Sequence, residues 1–91
     1  MDFVFNDEFV SKHLEALLAL KIDKYVIMAD QVKRVEELLE LSGDTVEQLQ
    51  AKRNSVVKLL TTDRDDEAAW ATMSGVTCVI DTQMYKIGGV I

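Results

Sequence analysis

The sequence has no proline, one cysteine and one histidine. Without proline, long helices are favoured over a many-turned β-domain, because proline serves turns and edge strands. Cys78 has no second cysteine with which to form an intramolecular disulfide, and no apolar run approaches the length of about 18 residues that suggests a membrane span. The first residues are acidic, unlike a secretion signal. Together these features predict a protein of the reducing cytoplasm.

Motifs typical of enzymes and metal sites are also missing. His13 and Cys78 are the only candidate base and thiol, and Cys78 lies in an apolar stretch where a thiol is usually an inert packing residue. One cysteine and one histidine cannot form a structural zinc site. The acidic run at residues 63–67 lacks EF-hand spacing, and carboxylates are favoured at a helix N-terminus in any case. There is no glycine-rich phosphate loop. We therefore expect a non-enzyme with no metal and no cofactor.

The 91 residues are 48% apolar and carry a net charge of −6. This predicts one folded domain over residues 1–91, whose thin core would gain from a partner or an oligomer. The negative charge argues against binding duplex nucleic acid and anionic membranes. It permits a basic protein partner, or a small ligand held at a local basic spot.

Apolar spacing predicts an all-α fold, a small antiparallel helical hairpin or bundle built from four segments. The first runs from Asn6 or Asp7 to about Leu20, and the second covers residues 23–41. The third covers residues 44–60, beginning at Asp44 with Glu47 as a capping pair. The fourth extends to about residue 86. The second segment has an apolar seam of Tyr25, Met28, Val32, Val35 and Leu39. Ser42 and Gly43 favour a break before the third segment, although one kinked helix is the alternative.

The fourth segment has no charged residue across the 13 positions 68–80. A helix without a wet face is buried on most sides, and the other short segments cannot easily surround it. We therefore expect a homo-oligomer. The residues expected at the interface are Trp70, Met73, Ser74, Gly75 and Thr77. The small residues among them would let the backbone of a neighbouring subunit come close. The alternative is a central helix wrapped by its own chain.

Binding chemistry is suggested by an aromatic ring beside two ammonium groups, at Lys21, Lys24 and Tyr25. Such a cluster can stack a base and hold a phosphate. Arg64 and the pair Lys52 and Arg53 are further candidates for anion contact. The alternative explanation is that these cations are ordinary surface charges and that Tyr25 begins the apolar seam.

Residues 57–74, VKLLTTDRDDEAAWATMS, contain a Val-Lys-x-Leu helix end, an acidic loop and a tryptophan that opens a helix of small residues. This pattern resembles the helical-hairpin module of the phage anti-CBASS cyclic-nucleotide sponges, a module shared with some anti-Thoeris sponges. Tyr25, with Gly43 and Glu47-Gln48-Leu49 downstream, is similar to the N-terminal helix of that family and the break that follows it.

The resemblance implies a small helical protein in the host cytosol whose copies form compact oligomers. Such proteins trap cyclic di- or trinucleotide immune signals between subunits without hydrolysing them. Tyr25 matches the family's base-stacking tyrosine, whereas Glu40 stands where the family has a phosphate-binding lysine. Phosphate contact would then pass to Lys21, Lys24 or Arg64. The alternative functions are a small acidic phage or bacterial inhibitor or adaptor that binds a protein, and a structural or assembly protein.

Overall fold

The computed structural model describes residues 2–23, 26–62 and 66–88, with only the backbone described at residues 2–6. These residues form five α-helices: α1 (Asp2–Lys12), α2 (Leu14–Ala19), α3 (Ala29–Leu38), α4 (Val46–Thr62) and α5 (Glu67–Gly88). Over the described ranges there is no strand, only an isolated bridge between Asp23 and Val26. The all-α prediction is confirmed.

The first predicted helix is in fact two helices, and it begins at Asp2 rather than at Asn6 or Asp7. The interruption lies at His13, whose N–H donates to the carbonyl of Val10 at 2.9 Å. That bond spans three residues instead of the four of an α-helix, so the chain tightens and changes direction there. Both helices bury apolar side chains, among them Val10 and Leu17.

The third helix, α3, begins six residues later than predicted, at Ala29 instead of residue 23. Its start is marked by Gln31, whose side-chain oxygen accepts the Met28 N–H at 3.1 Å. The amide nitrogen of Gln31 donates to the Leu20 carbonyl at 2.9 Å, which ties the start of α3 to the end of α2. Met28 therefore lies before the helix and is 59% exposed, so its assignment to the apolar seam was wrong. Val35 and Leu39 of that seam are fully buried.

The predicted break between the second and third segments is confirmed, because α3 ends at Leu38 and α4 begins at Val46. Glu40 and Gly43 adopt left-handed backbone angles, with φ of 51° and 85°. The capping pair differs from the prediction by one residue. Thr45 Oγ1 accepts the Gln48 N–H at 3.1 Å, and Gln48 Oε1 accepts the Thr45 N–H at 2.8 Å. These reciprocal bonds form a capping box at the start of α4.

Helix α5 packs against α2, α3 and α4 of its own chain. Its buried residues include Ala69, Val76 and Ile80, and Asp66 caps its start by accepting the Ala69 N–H at 2.7 Å. The chain therefore covers much of this helix itself, although Trp70 and Cys78 on its outer side stay exposed. The core that surrounds it contains the fully buried side chains of Val10, Leu17, Val35, Leu39, Leu49, Val56 and Leu60. In the described part of the chain, no helix is both long and apolar enough to cross a membrane.

Candidate functional site

The α2–α3 loop, residues 20–28, carries three of the four residues predicted to bind a ligand. Lys21 is exposed and has a left-handed backbone, with φ of 51°. Lys24 and Tyr25 lie outside the described residues, as does Arg64 of the link between α4 and α5. The structure therefore locates one of the four predicted contacts, on the surface where a ligand could reach it.

The loop is held against α5 by Ile22, which is only 3% exposed. Its side chain lies directly over Gly75: a Cβ added to that glycine would be 2.2 Å from Ile22 Cγ2. The three atoms nearest that added Cβ all belong to Ile22. The small residues of α5 were predicted to admit a second backbone, whereas at Gly75 the space is taken by an isoleucine side chain of the same chain.

Gly75 and Thr77 need correction as predicted interface residues, because both are buried within their own chain. Met73 is partly buried and packs against the hydrophobic core. Of the predicted set, Trp70 retains the most surface at 47% exposed, and Ser74, like Met73, is half-buried. Helical spacing places Trp70 and Ser74 on one side of α5, together with the exposed Cys78.

The outer side of the α2–α3 loop is apolar next to its cation. Val26 is 58% exposed and Met28 is 59% exposed, although both are large hydrophobic residues. The Val26 N–H donates to the Asp23 carbonyl at 3.1 Å, which holds the two ends of this stretch together. Large apolar side chains grouped on a surface are typical of an interaction site.

A groove of about 110 Å³ runs between the loop, α3 and α5. Its sides are formed by Ile27, Val32, Glu36, Cys78, Val79, Thr82, Gln83 and Lys86. The side-chain amide of Gln83 donates to the Glu36 carboxylate across it. Cys78 was predicted to be an inert packing residue, but its thiol borders this open groove. Cys78 is exposed because it lies on the side of α5 that the other helices leave open. No pattern in the sequence indicates which side that is, so the cysteine was predicted to be a core residue.

Lys52 and Arg53 were candidates for anion contact, and the structure gives both a partner in the chain. Lys52 is buried, and its Nζ donates to the Leu39 carbonyl at 2.7 Å and the Glu40 carbonyl at 3.0 Å. The same Nζ lies 2.7 Å from Asp44 Oδ2. Lys52 is therefore committed to partners of its own chain, and its charge is paired inside the fold. Arg53 Nε donates to Asp81 of α5 at 2.7 Å.

Asp7 forms the other polar link between helices. Ser55 and Lys58 of α4 donate hydrogen bonds to its carboxylate, at 2.5 and 2.9 Å. The hydroxyl of Ser55, and then the ammonium group of Lys58, hold the pKa of Asp7 below its ordinary value, because both favour the charged carboxylate. This network joins α1 to α4 and is structural in character.

His13 and Cys78 belong to different parts of the fold. The Nδ1 of His13 lies 2.9 Å from the Phe9 carbonyl, and its ring packs against the Phe9 ring with centroids 4.9 Å apart. Cys78 borders the groove between α3 and α5. Among the residues described, no group of three or more histidine, cysteine or acidic side chains is placed to hold a metal ion.

Comparisons with protein-family models, curated proteins and solved structures found no match to this chain. The α2–α3 loop and the adjoining groove are therefore assigned as the candidate site from their geometry.

Proposed function

We propose that this protein is a non-catalytic binder that sequesters cyclic di- or trinucleotides. In this proposal it assembles into a homo-oligomer and holds the ligand where copies meet. As a viral sponge it would withdraw the immune signal and so inhibit anti-phage defence in the host cytosol. The resemblance of residues 57–74 to the sponge module supports the proposal. In this chain the hairpin would consist of α4 and α5, which Arg53 and Asp81 join.

One observation carries the proposal: the α2–α3 loop exposes a cation and two large apolar side chains. Ile22 holds the loop on α5, while Lys21, Val26 and Met28 are exposed on its outer side. A flat base needs an apolar or aromatic surface on which to lie, and a phosphate needs a positive charge nearby. The loop supplies both kinds of contact within eight residues.

The size of the groove favours a site shared between copies. Pockets that enclose drug-sized ligands have volumes of about 300–1,000 Å³. The groove of about 110 Å³ has room for one side chain or part of one base, but not for a cyclic dinucleotide. A second copy facing the loop would supply the missing wall, in keeping with the expected homo-oligomer.

The proposed contacts are those that the sequence suggested. Tyr25 would stack on a base, and Lys21, Lys24 and Arg64 would face the phosphates. No bond in the ligand is broken, so the protein acts by stoichiometric removal. A sponge must therefore be present in at least the concentration of the signal that it removes.

Titration calorimetry with a panel of cyclic di- and trinucleotides tests the proposal. We expect at least one to bind tightly, and denaturation of the complex should return it intact, as judged by mass spectrometry. Lys21→Asn should weaken binding by about tenfold or more, because a charge-assisted hydrogen bond contributes about 1.5–3 kcal/mol. Asparagine tolerates the left-handed backbone at this position.

Lys33→Gln provides the matched control, since Lys33 is an exposed lysine within α3. It should leave the dissociation constant unchanged within about twofold. Absence of heat with every cyclic nucleotide tested, or recovery of cleaved products, would reject the proposal.

A second candidate is a small acidic inhibitor or adaptor that binds a protein. It is favoured by the exposure of Trp70, Val26 and Met28, since tryptophan and methionine are enriched where proteins meet. A basic partner would be steered by the net charge of −6. Recovery of one basic protein in stoichiometric complex, with no cyclic nucleotide bound, would select this function over the first.

A further inference from the structure

Ile22 of the α2–α3 loop packs directly against Gly75 of α5. A Cβ at position 75 would lie 2.2 Å from Ile22 Cγ2 and 3.3 Å from its Cβ. The Cγ2 methyl is attached to the branched Cβ, so it cannot swing away as the end of a long side chain can. Only glycine at position 75 lets the loop lie where it does.

Three further features fix the same loop. Lys21 adopts the left-handed backbone that non-glycine residues avoid, at φ of 51°, in the residue directly before Ile22. Such a conformation persists only where the surroundings impose it, and it is concentrated at functional sites. Gln31 then fastens both ends of the loop, to the Leu20 carbonyl at 2.9 Å and the Met28 N–H at 3.1 Å.

We infer that Gly75 and Ile22 are positioning residues, which hold the α2–α3 loop in the arrangement that binds ligand. Neither is placed to contact a ligand itself, because both are buried within the chain. They act through Lys21, which directly precedes Ile22 and is exposed. The inference about the loop stands on geometry, whereas its consequence for cyclic nucleotides rests on the proposed function.

Gly75→Ala tests this inference by whether it raises or lowers the unfolding midpoint. Alanine is a far better helix former than glycine, so a tolerated substitution inside α5 would raise the unfolding midpoint. We expect the midpoint to fall instead, because the new methyl meets Ile22. Ser74→Ala, at the neighbouring half-buried position, should leave the midpoint nearly unchanged.

Limited trypsin digestion reports the loop directly and needs no ligand. The Lys21–Ile22 peptide bond is protected from trypsin while Ile22 is buried. The rate of cleavage at this bond is therefore proportional to the fraction of molecules in which the loop has come away from α5. Gly75→Ala should raise the rate of cleavage after Lys21 by about tenfold, with cleavage after Lys33 and Arg34 of α3 as the internal reference. Ser74→Ala should not change it.

A double substitution identifies Ile22 as the partner. In an Ile22→Ala background the methyl at position 75 meets no Cγ2, so Gly75→Ala should no longer lower the midpoint there. Ile22→Ala alone releases the loop without adding a clash, and it should speed cleavage after Lys21 while the helical circular dichroism spectrum is retained. This variant also decides the matter if Gly75→Ala fails to fold.

Ligand affinity completes the test. If the loop is correctly placed in only a tenth of the molecules, the apparent dissociation constant rises about tenfold. We therefore expect Gly75→Ala and Ile22→Ala to weaken binding of the cyclic nucleotide that the wild-type protein holds best, with Lys33→Gln on the exposed side of α3 unchanged. If Gly75→Ala and Ile22→Ala bind the nucleotide as tightly as the wild-type protein does, although their loops are cleaved faster, the positioning role is overturned.

The two proposals fail in different ways. If the wild-type protein binds no cyclic nucleotide, the proposed function is rejected, and the digestion rates still decide whether Gly75 and Ile22 fix the loop. If cleavage after Lys21 is unchanged in both Gly75→Ala and Ile22→Ala, the inference is overturned, whatever the wild-type protein binds.

Discussion

The ammonium group of Lys52 lies inside the chain, where it donates to the carbonyls of Leu39 and Glu40 at the C-terminal end of α3 and forms an ion pair with the Asp44 carboxylate. A positive charge is favourable at the C-terminal end of a helix, because it satisfies carbonyls that have no partner in the helix. Lys52 thus joins α4 to the turn that follows α3. Its Nζ also lies 5.1 Å from the centroid of the Phe9 ring.

We expect Lys52→Met to lower the free energy of unfolding by about 3 kcal/mol, because it leaves a buried carboxylate and two carbonyls without their donor. Chemical denaturation followed by circular dichroism measures this. Lys33→Met on the exposed side of α3 should change stability by less than about 0.5 kcal/mol. A loss under 1 kcal/mol for Lys52→Met would show that water replaces the ammonium group and that the network contributes little.

Asp7 gives the fold a defined response to pH. The hydrogen bonds from Ser55 and Lys58 hold its pKa below the ordinary value in the folded chain. Its contribution to stability is therefore full above the unfolded pKa, about 4, and is lost as the pH falls through the lower folded pKa. The unfolded chain binds a proton there more readily, so acid favours unfolding.

Asp7→Asn should lower stability at pH 7 by about 1 kcal/mol, a value reduced from that of a buried pair because Lys58 is largely exposed. The difference from the wild-type protein should shrink as the pH falls below the unfolded pKa and through the lower folded pKa. Denaturant titrations at a series of pH values measure it. Glu8→Gln, at the exposed neighbouring position, is the control and should show a small difference at every pH. A gap for Asp7→Asn that persisted unchanged into acid would contradict the assignment.

At the level of helices, the sequence predicted which segments are helical better than where they begin and end. Gly43 and the apolar period before it correctly indicated the break after α3. The start of α3 was misplaced because Ile22 packs on Gly75, a contact between residues 53 positions apart that no local pattern contains. The candidate capping pair of Asp44 and Glu47 was one residue early, because Asp44 pairs with Lys52 and Thr45 becomes the cap.

Thr45→Ala should therefore lower the free energy of unfolding by about 1 kcal/mol, the usual effect of removing an N-cap side chain. Glu47→Ala, one residue before Gln48, should have a much smaller effect, although the sequence suggested Glu47 as the capping partner. Thermal unfolding of the two variants side by side measures the difference. Equal losses would mean that the helix start is not held by the Thr45 and Gln48 pair.

For the whole molecule, apolar spacing and the lack of proline were enough to predict an all-α fold. It was not enough to predict which face of α5 is covered. The uncharged stretch at residues 68–80 is mostly buried by α2, α3 and α4, so the absence of charge there reports a central helix. The candidate site was predicted only in part, since Lys21 is on an exposed loop, while Lys52 is buried and Arg53 pairs with Asp81 at the surface. Basic residues that look equivalent in the sequence can be told apart only by the partners that the fold gives them.

The last prediction concerns the side of α5 that its own chain leaves exposed, where copies of the protein could associate. Trp70 is the only tryptophan and is half exposed, on the same side of the helix as Ser74 and Cys78. If copies associate through this side, the native mass should be a multiple of 10.3 kDa, and the emission of Trp70 should shift to longer wavelength on dilution.

Trp70→Glu would then place an unpaired charge in the contact, and it should weaken association by about a hundredfold or more, because burying such a charge costs several kcal/mol. The native mass should fall to that of one chain, with the circular dichroism spectrum retained. Asn54→Glu adds the same charge on the exposed side of α4 and should leave the mass unchanged. An oligomer that survives Trp70→Glu, or a wild-type protein that is monomeric at all concentrations, would place any association away from this face. The ligand site would then have to be completed by another surface, or by the loop alone.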